Sequence, residues 1–407
     1  MFREKTSNGG DTMKKFNLNP QVFQEAQSSD FSLQDIIAGL LNMLALAERS
    51  VFLKEHPSDK ANGFYTRKLA SGSMNLELSI PRTRKGGFRP FFLPEKWRRH
   101  SPQDFSALVE SMLISSKSIE SARRGLMELG LPVSEEYLKA VVDEFIELLE
   151  VTNSSPINPD MFAVLMDAKW VKVKVKGSVK EYTVYTAIGI SFDGKKEVLA
   201  CIHYEGKESL EHWRDFLRKL VSRGLRRVSI VVHDDFRGLV GMTKSFFPGA
   251  DVQLCTVHML RNASKHLCKD SFRRFKMVFR SIKSADEELA FDLFEDLVEI
   301  AKEAPDFAEG LERNREHLLA FVKYPQEIRS VVSSTNMVES YNRKIEDARL
   351  MSGGYFNSEE NLKMRLGMVI RELMVGKWRR PNWAIRSVSH LFWDIFRNKF
   401  ENEEKEG

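Results

Sequence analysis

Three acidic residues lie at positions where a carboxylate needs a hydrogen-bonding or charged partner, or a bound metal ion. Asp167 follows the apolar run Phe162–Met166 in a strand pattern, where a lone carboxylate must be solvated, paired or metal-bound. Asp234 ends the apolar strand pattern RVSIVVHD, and Glu339 lies near the start of a helix pattern, SSTNMVESYNRKIED. Carboxylates that converge on two divalent ions about 3.5–4 Å apart serve phosphoryl transfer, because one ion activates the attacking oxygen and the other stabilises the leaving oxygen.

The first two acids also have structural explanations. Asp167 could pair with the nearby Lys169. Asp234 could cap the helix that follows it, although Asp235 is better placed for that role. The carboxyl end of a strand beside a crossover connection is nevertheless where α/β sheets open a crevice for ligands.

Glu339 has the strongest structural alternative. It follows Asn336 at the spacing of a capping box, in which the carboxylate accepts a backbone N–H at the helix start. Asn336, Glu339 and Arg343 also share one helix face, which would suit a metal ligand flanked by two groups that contact phosphates. Spacing alone leaves the choice open.

Cys255 and His258 form a Cys-x-x-His pair. A zinc site needs two more ligands, and no nearby Cys/His pair offers them at a familiar spacing. We therefore favour a structural or DNA-contacting role over metal binding. The chain has three cysteines and no CxxC pair, so we expect reduced thiols.

The elements that must position these residues follow a recognisable order. FAVLMDAKWVKVKVK, EYTVYTAIGIS and KEVLACIHY alternate as strands and are separated by turns at 176–178 and at Asp193-Gly194. A helix, the strand ending at Asp234, a second helix and the short strand DVQLC follow. Three antiparallel strands followed by alternating helix and strand predict a ribonuclease-H-like α/β core with a mixed five-stranded sheet.

The remaining patterns complete the domain prediction. We expect a disordered tail over 1–30, a mainly helical DNA-binding region over 31–152, and the first part of the core over 153–258. A wholly helical insertion spans 259–328, and the rest of the core with basic C-terminal helices spans 329–407.

The DNA-binding region combines several motifs. It comprises an amphipathic helix over 31–53, a strand NLELSIPR running into a mobile basic arm, and a helix-turn-helix-like element with a break at 130–134. The linker NSSPINP marks its end.

Charge is unevenly distributed, although the net charge is only +5. The segment 60–100 has ten Lys/Arg against two Glu, and 259–283 has eight against one Asp. Clustered positive charge suits a polyphosphate partner, because each neutralised phosphate releases counterions. The basic residues that we assign to DNA are Arg82, Arg84, Lys85, Arg273 and Arg274.

The motifs together resemble transposases of the Mutator type. The resemblance rests on VLMDAKWVKVK, AIGISFDGKKEVL, HWRDFLRKLVSRGLRRVSIVVHDDFRGL, FFPGADVQLCTVHMLRN and STNMVESYNRKI, in that order. It implies that Asp167, Asp234 and Glu339 are the catalytic, metal-binding acids, with Asp234 selected by an Asp-x-x-x-Gly-Leu pattern. It places Cys255 and His258 near the active site, followed by Arg261 and Asn262.

This sequence departs from the family pattern at two places. His233 precedes Asp234 where a small residue is usual, and Asp235 follows it, so an exchange of roles between Asp234 and Asp235 stays open. The N-terminal part diverges more, which leaves the residues that recognise the element ends undefined.

The function that the resemblance implies is that of an insertion-sequence transposase. Such an enzyme binds terminal inverted repeats and target DNA as double strands, and catalyses strand cleavage and strand transfer with two Mg²⁺ or Mn²⁺ ions. We expect a homo-oligomer, at least a dimer, in the cytoplasm at the nucleoid and with no membrane association, since no signal peptide or apolar run of about eighteen residues is evident. The alternatives are a catalytically silent, domesticated repeat-DNA-binding protein and a ribonuclease-H-like nuclease of DNA repair.

Overall fold

A computed structural model describes residues 33–71, 74–93, 102–128, 133–376, 378 and 386–400. The predicted tail over 1–30 lies outside them. The chain forms two compact units, Met1–Met112 with Arg124–Val133 and Leu113–Arg123 with Ser134–Gly407.

The smaller unit contains a long helix and a β-hairpin. Helix α1 (Leu33–Glu55) packs against strands β1 (Ala61–Ser71) and β2 (Met74–Thr83), which pair antiparallel. In-phase Leu76, Leu78 and Ile80 of β2 form the buried face against the helix. The strand prediction was therefore correct for β2, whereas its partner β1 was not predicted.

The basic segment after β2 differs from the expected mobile arm. Arg82 lies within β2, and the buried Asp59 accepts the backbone N–H groups of Lys60 and Lys85 through its Oδ1 atom, at 2.7 and 3.0 Å. These bonds tie the base of the hairpin to the turn that follows it. The backbone donors of Lys60 and Lys85 thus share a buried acceptor.

Helix α1 is also the only helix in the described part of the chain that meets a length and composition test for a membrane span, with a mean hydropathy of 1.6. Its uncharged core, Ile36 to Ala47, is only twelve residues long, whereas a span needs about 20 apolar residues. One face already packs on the hairpin. This is weak evidence for a membrane segment.

Three further helices precede the large sheet: α2 (Pro102–Ser115), α3 (Ile119–Glu128) and α4 (Glu135–Ser154). Ser134 caps α4 by accepting the backbone N–H of Tyr137. The break that we predicted at 130–134 lies largely outside the described residues.

The predicted linker at Asn153 does not separate the compact units. Helix α4 runs through Asn153 to Ser154 and belongs to the larger unit. The Asn153 side chain donates to the carbonyl of Cys201 and accepts its N–H, both at 2.8 Å. Helix α4 packs within the larger unit, against α14 and β5.

The larger unit contains a mixed five-stranded sheet in the order β5-β4-β3-β6-β7. Strands β3 (Asp160–Val175), β4 (Ser178–Ile190) and β5 (Lys196–Glu205) form the predicted antiparallel meander. Helix α5 (Leu210–Ser222) leads to β6 (Arg227–His233), and α6 (Leu239–Phe246) leads to β7 (Asp251–Leu254); β6 and β7 are parallel to β3.

The expected helical segment follows β7. Its helices are α7 (Thr256–His266), α8 (Lys269–Ser284), α9 (Glu287–Ala301), α10 (Pro305–Arg313), α11 (Arg315–Leu318), a 3₁₀ turn (Ala320–Lys323) and α12 (Gln326–Val332). Helices α13 (Asn336–Met351), α14 (Glu359–Val375) and α15 (Ser389–Phe400) complete the described chain. Helix α13 begins at Asn336, so Glu339 lies near a helix start, as the sequence pattern indicated.

Apolar side chains fill both faces of the sheet. On one face Val164, Met166 and Val231 pack against the α5 residues Trp213 and Phe216. The opposite face carries Leu165, Ile188 and Ile230, which belong to one core with residues of α13, α14 and the helical segment after β7. The sheet is buried on both sides, as near-continuous apolar strands require.

Gly367 allows α14 to approach α4 closely. A Cβ atom at this position would lie 2.0 Å from the carbonyl oxygen of Phe145, which is backbone and cannot turn aside. We therefore expect Gly367→Ala to lower the free energy of unfolding by about 1–3 kcal/mol or more, as overpacking does. Urea unfolding measures this, with Gly241→Ala in α6 as the matched control, since its Cβ meets nothing within 4 Å. Equal stabilities of the two variants would contradict this packing.

Candidate active site

The register of β3 and β6 brings the first two acids together. Leu165 of β3 lies beside Val232 of β6 in parallel pairing, so two residues further on Asp167 comes beside Asp234. Asp167 is buried and lies on the same sheet face as Leu165. Both carboxylates thus emerge at the carboxyl end of β6, on the face that α13 covers.

The loop after Asp234 separates it from Asp235. Phe236 donates its N–H to the Asp234 carbonyl, and Gly238 takes a left-handed φ of +85° at the start of α6. A Cβ on Gly238 would also lie 3.0 Å from Leu210. Both the backbone angle and this close approach explain why the Asp-x-x-x-Gly-Leu pattern has glycine at this position. Asp235 instead accepts from the Asn314 side chain at 2.7 Å.

His233, which departs from the family pattern, makes its hydrogen bonds away from the three carboxylates. It is buried, donates from Nδ1 to the Asp234 carbonyl at 2.7 Å, and lies 3.3 Å from the Thr243 hydroxyl through Nε2. Burial lowers the pKa of His233 to about 4, so its ring is neutral at pH 7.

Glu339 projects from the first turn of α13. Its carboxylate contacts Arg261 at 3.0 Å and His258 Nε2 at 3.3 Å. Thr335, and not Asn336, precedes the first helical residue, and it makes no side-chain cap. Within the described chain the Glu339 carboxylate has no hydrogen bond to a backbone N–H, so the capping-box alternative does not describe this structure.

His258 links the second and third acids. Its Nδ1 atom contacts an Asp234 carboxylate oxygen, while Nε2 faces Glu339. Burial opposes the charge on the imidazole, but the hydrogen bond to Asp234 outweighs burial and raises the pKa of His258 to about 10. A protonated imidazole thus neutralises part of the negative charge between the acids.

Cys255 lies immediately behind His258. It is buried at the start of α7, and its Sγ accepts the backbone N–H and the hydroxyl of Thr335 at 3.4 and 3.1 Å. Asp234, Cys255 and His258 offer ligand atoms that all lie within 4.8 Å of one another. Three such atoms fall one short of a structural zinc site. The bonds to Thr335 connect α7 to the segment that begins α13.

Asp167 carries the clearest electrostatic signature. Burial, with the charge of Asp234 adding to it, raises the pKa of Asp167 to about 7. Its oxygens accept the N–H of Ala168 at 2.9 Å and the side-chain amide of Asn342 at 2.6 Å. Its alternative partner Lys169 pairs with Glu346 instead.

Two residues near the acids were not predicted from the sequence. Asn342 lies one turn after Glu339 on α13 and is buried against Asp167, which the i, i+3 spacing could have indicated. Glu208 accepts from the indole of Trp213 at 2.8 Å, and burial, with the Asp234 charge adding to it, raises the pKa of Glu208. No local motif marks Glu208, because its position depends on how α5 packs.

The residues predicted to contact DNA or to support the active site are mostly exposed. Asn336, Arg343 and Asn262 are exposed, and Arg261 is bound to Glu339. On α8, Arg273 and Arg274 are exposed, and Arg273 pairs with Asp270. Arg82, Arg84 and Lys85 are exposed in the smaller unit.

The amino-acid sequence matches a known protein family. The model of the Mutator family of transposases matches residues 11–380. The chain belongs to the Mutator family of transposases. The match spans the acids, the Cys-x-x-His pair and the helical segment after β7, so the resemblance seen in the sequence is confirmed.

Individual relatives in the Mutator family cover most of the chain. The transposase for insertion sequence element ISRM3 of Rhizobium meliloti is 28% identical over 354 residues, which is 86% of this chain and 87% of the relative. That of element ISRM5 from the same organism is 30% identical over 74% of this chain and 76% of the relative. The transposase of IS256 in Tn4001 from Staphylococcus aureus is 25% identical over 94% of this chain and 100% of the relative.

The raised pKa of Asp167 predicts how the metal-free protein responds to pH. The folded state holds this proton more tightly than the unfolded state, whose ordinary pKa is 3.8. The stabilisation is therefore complete below about pH 4 and is lost as the pH rises to about 7. Asp167→Asn removes this titration.

We expect the unfolding free energy of Asp167→Asn, relative to the unmutated protein, to rise by a few kcal/mol between pH 4 and 7, since one pKa unit corresponds to about 1.4 kcal/mol. Above pH 7 the difference should stay constant. Urea unfolding in EDTA across this range measures it. Parallel pH profiles for the two proteins would contradict the assignment.

Proposed function

We propose that this chain is the transposase of an insertion sequence, which binds the terminal inverted repeats of its element and catalyses metal-dependent strand cleavage and strand transfer. The observation that carries the proposal is the convergence of Asp167, Asp234 and Glu339 in a member of the Mutator family. Three buried or half-buried carboxylates close together are unfavourable without cations. A protein that only holds repeat DNA has no need of them.

The catalytic core is, in this proposal, ribonuclease-H-like. The support is the strand order β5-β4-β3-β6-β7, with an antiparallel meander followed by two parallel crossover strands. The acids come from the central strand β3, the end of β6 and the helix α13. The helical segment between β7 and α13 would be the insertion, and it counts against a simple repair nuclease.

The residues at the site fit divalent metal ions. Carboxylate oxygens are the ligands that Mg²⁺ and Mn²⁺ prefer, and Asp167, Asp234 and Glu339 would supply them. Asn342 adds a buried side-chain oxygen, Oδ1, with no hydrogen-bond partner among the described residues. Two such ions would activate the attacking oxygen and stabilise the leaving oxygen of each displacement at phosphorus.

The protein's own side chains hold these acids in position. The Asn342 amide fixes the orientation of Asp167 from α13, and Arg261 of α7 fixes Glu339. His258 contacts Asp234 and Glu339 directly, so a cation that binds these oxygens competes with the imidazole for them. Cleavage by water and attack by a 3′-OH would use the same set of acids.

DNA contacts are assigned to exposed basic residues in both units. Arg273, Arg274 and Arg280 are exposed on α8. Arg274 shares a groove with Asp296 and Glu299, which offset part of its charge. In the smaller unit Arg82, Arg84 and Lys85 lie at the base of the hairpin.

The proposed reaction also sets the partners and the compartment. Two element ends must be brought together, so we propose a homo-oligomer, at least a dimer. The substrates are double-stranded DNA, with repeats at the element ends and a target site elsewhere. The enzyme would work in the cytoplasm at the nucleoid.

Cleavage of a supercoiled donor plasmid carrying the inverted repeats that flank the gene tests this function. With Mg²⁺ or Mn²⁺ present, we expect Asp167→Asn, Asp234→Asn and Glu339→Gln each to lower cleavage by on the order of a thousandfold or more, as loss of an essential catalytic group does. Binding to repeat DNA should persist.

Asp235→Asn is the matched control, since Asp235 contacts Asn314 and not the other acids. This variant should retain cleavage. Cleavage by Asp234→Asn together with loss in Asp235→Asn would reverse the assignment of the second acid. Repeat binding without any metal-dependent product from the unmutated protein would favour a silent DNA-binding protein.

A further inference from the structure

A cavity of about 370 Å³ opens directly beside the acids. Asp234, Cys255 and His258 contribute to its lining, and α10 of the helical segment contributes Phe307, Gly310 and Arg313. Anything that enters the cavity therefore lies next to an active-site carboxylate. The mechanism described above makes no use of this space.

The volume limits what the cavity can hold. It falls in the range of small-molecule sites, about 300–1,000 Å³, which is far too small for a DNA duplex. A single nucleotide drawn out of its stack is the part of a DNA substrate that such a space can accept.

The lining favours a flat, uncharged group. His266 and Phe307 both line the cavity, and their rings stack on each other with centroids 5.7 Å apart and an interplanar angle of 11°. Asn262 and Arg313 add hydrogen-bonding groups. Asp234, Asp235 and Asp306 also line it and would repel a phosphate. A nucleobase meets these conditions, whereas a free anion does not.

We propose that this cavity binds the base of one unpaired nucleotide next to the scissile phosphate, stacked on Phe307 and hydrogen-bonded by Asn262 or Arg313. This inference rests on the proposed function, since it takes the substrate to be DNA cut at the acids. The bound base would anchor the strand and fix the position of the scissile phosphate. The family's helical segment would then take part in substrate positioning.

Gly310 provides a way to close the cavity without disturbing the fold. It lies within α10, and a Cβ atom added there meets nothing within 4 Å. Gly310→Ala should therefore be tolerated, and an alanine even favours the helix by up to about 1 kcal/mol. Gly310→Phe would place a ring in the space that we assign to the base.

The first experiment locates the base. Duplexes carrying the inverted repeat, with 2-aminopurine at successive positions around the cut site, are bound in Ca²⁺ to the unmutated protein, to Gly310→Ala and to Gly310→Phe. We expect fluorescence to rise at one position next to the cut for the unmutated protein and Gly310→Ala, and not for Gly310→Phe. DNA affinity and thermal unfolding of the three proteins should be similar.

The second experiment asks whether the base matters for cleavage. In Mg²⁺, Gly310→Phe should cut normal DNA on the order of a hundredfold more slowly, as a small misplacement of the reacting groups does. An abasic nucleotide at the position found by fluorescence should slow the unmutated protein to a similar extent and should slow Gly310→Phe no further, because in both cases no base is held in the cavity. A further large loss in Gly310→Phe on the abasic substrate would contradict the proposal.

The outcomes separate this inference from the proposed function. The cavity does not bind a base if the unmutated protein cuts DNA but 2-aminopurine fluorescence rises at no position. The same conclusion follows if Gly310→Phe gives the same fluorescence rise and the same cutting rate as Gly310→Ala. If no protein cuts DNA in any divalent metal, the proposed function fails instead, while a brightening that Gly310→Phe abolishes would still support base binding.

Discussion

The parallel pairing of β3 with β6 is the constraint on which the rest of the site depends. It sets Asp167 beside Asp234 at the centre of a sheet buried on both faces. Burial raises the pKa of Asp167, and repulsion by the nearby Asp234 carboxylate adds to that rise. The surrounding structure must therefore supply positive charge or hydrogen-bond donors.

Two helices carry that compensation. From α7, His258 contacts Asp234 and Glu339 while Arg261 holds Glu339. From α13, Asn342 holds Asp167 through its amide. The bonds from Thr335 to Cys255 join the two helices behind the site. The two residues of the Cys-x-x-His pair therefore have separate structural roles. Cys255 anchors the start of α13, and His258 bridges Asp234 and Glu339.

Local patterns in the sequence were enough to predict the strands of the meander, both turns between them and the start of α13 at Asn336, because alternation and turn residues act over a few positions. The i, i+3 spacing from Glu339 could have indicated Asn342, whereas the role of Glu208 depends on how α5 packs against the sheet, which no local pattern encodes. Strand β1 was missed although Phe64, Tyr65 and Thr66 are residue types that favour strands. The compact units divide earlier in the chain than the predicted linker, and Asn153, one of the polar residues that suggested the linker, bonds to Cys201 of β5.

Iron-directed cleavage tests most directly whether the three acids form one metal site. Fe²⁺ replaces Mg²⁺ in the protein, and hydroxyl radicals generated with ascorbate and peroxide cut the backbone close to the bound ion. The account predicts cuts near Asp167, Asp234 and Glu339, all suppressed by excess Mg²⁺ and by Asp167→Asn. Cuts confined to the Cys255–His258 region and unchanged in Asp167→Asn would contradict it.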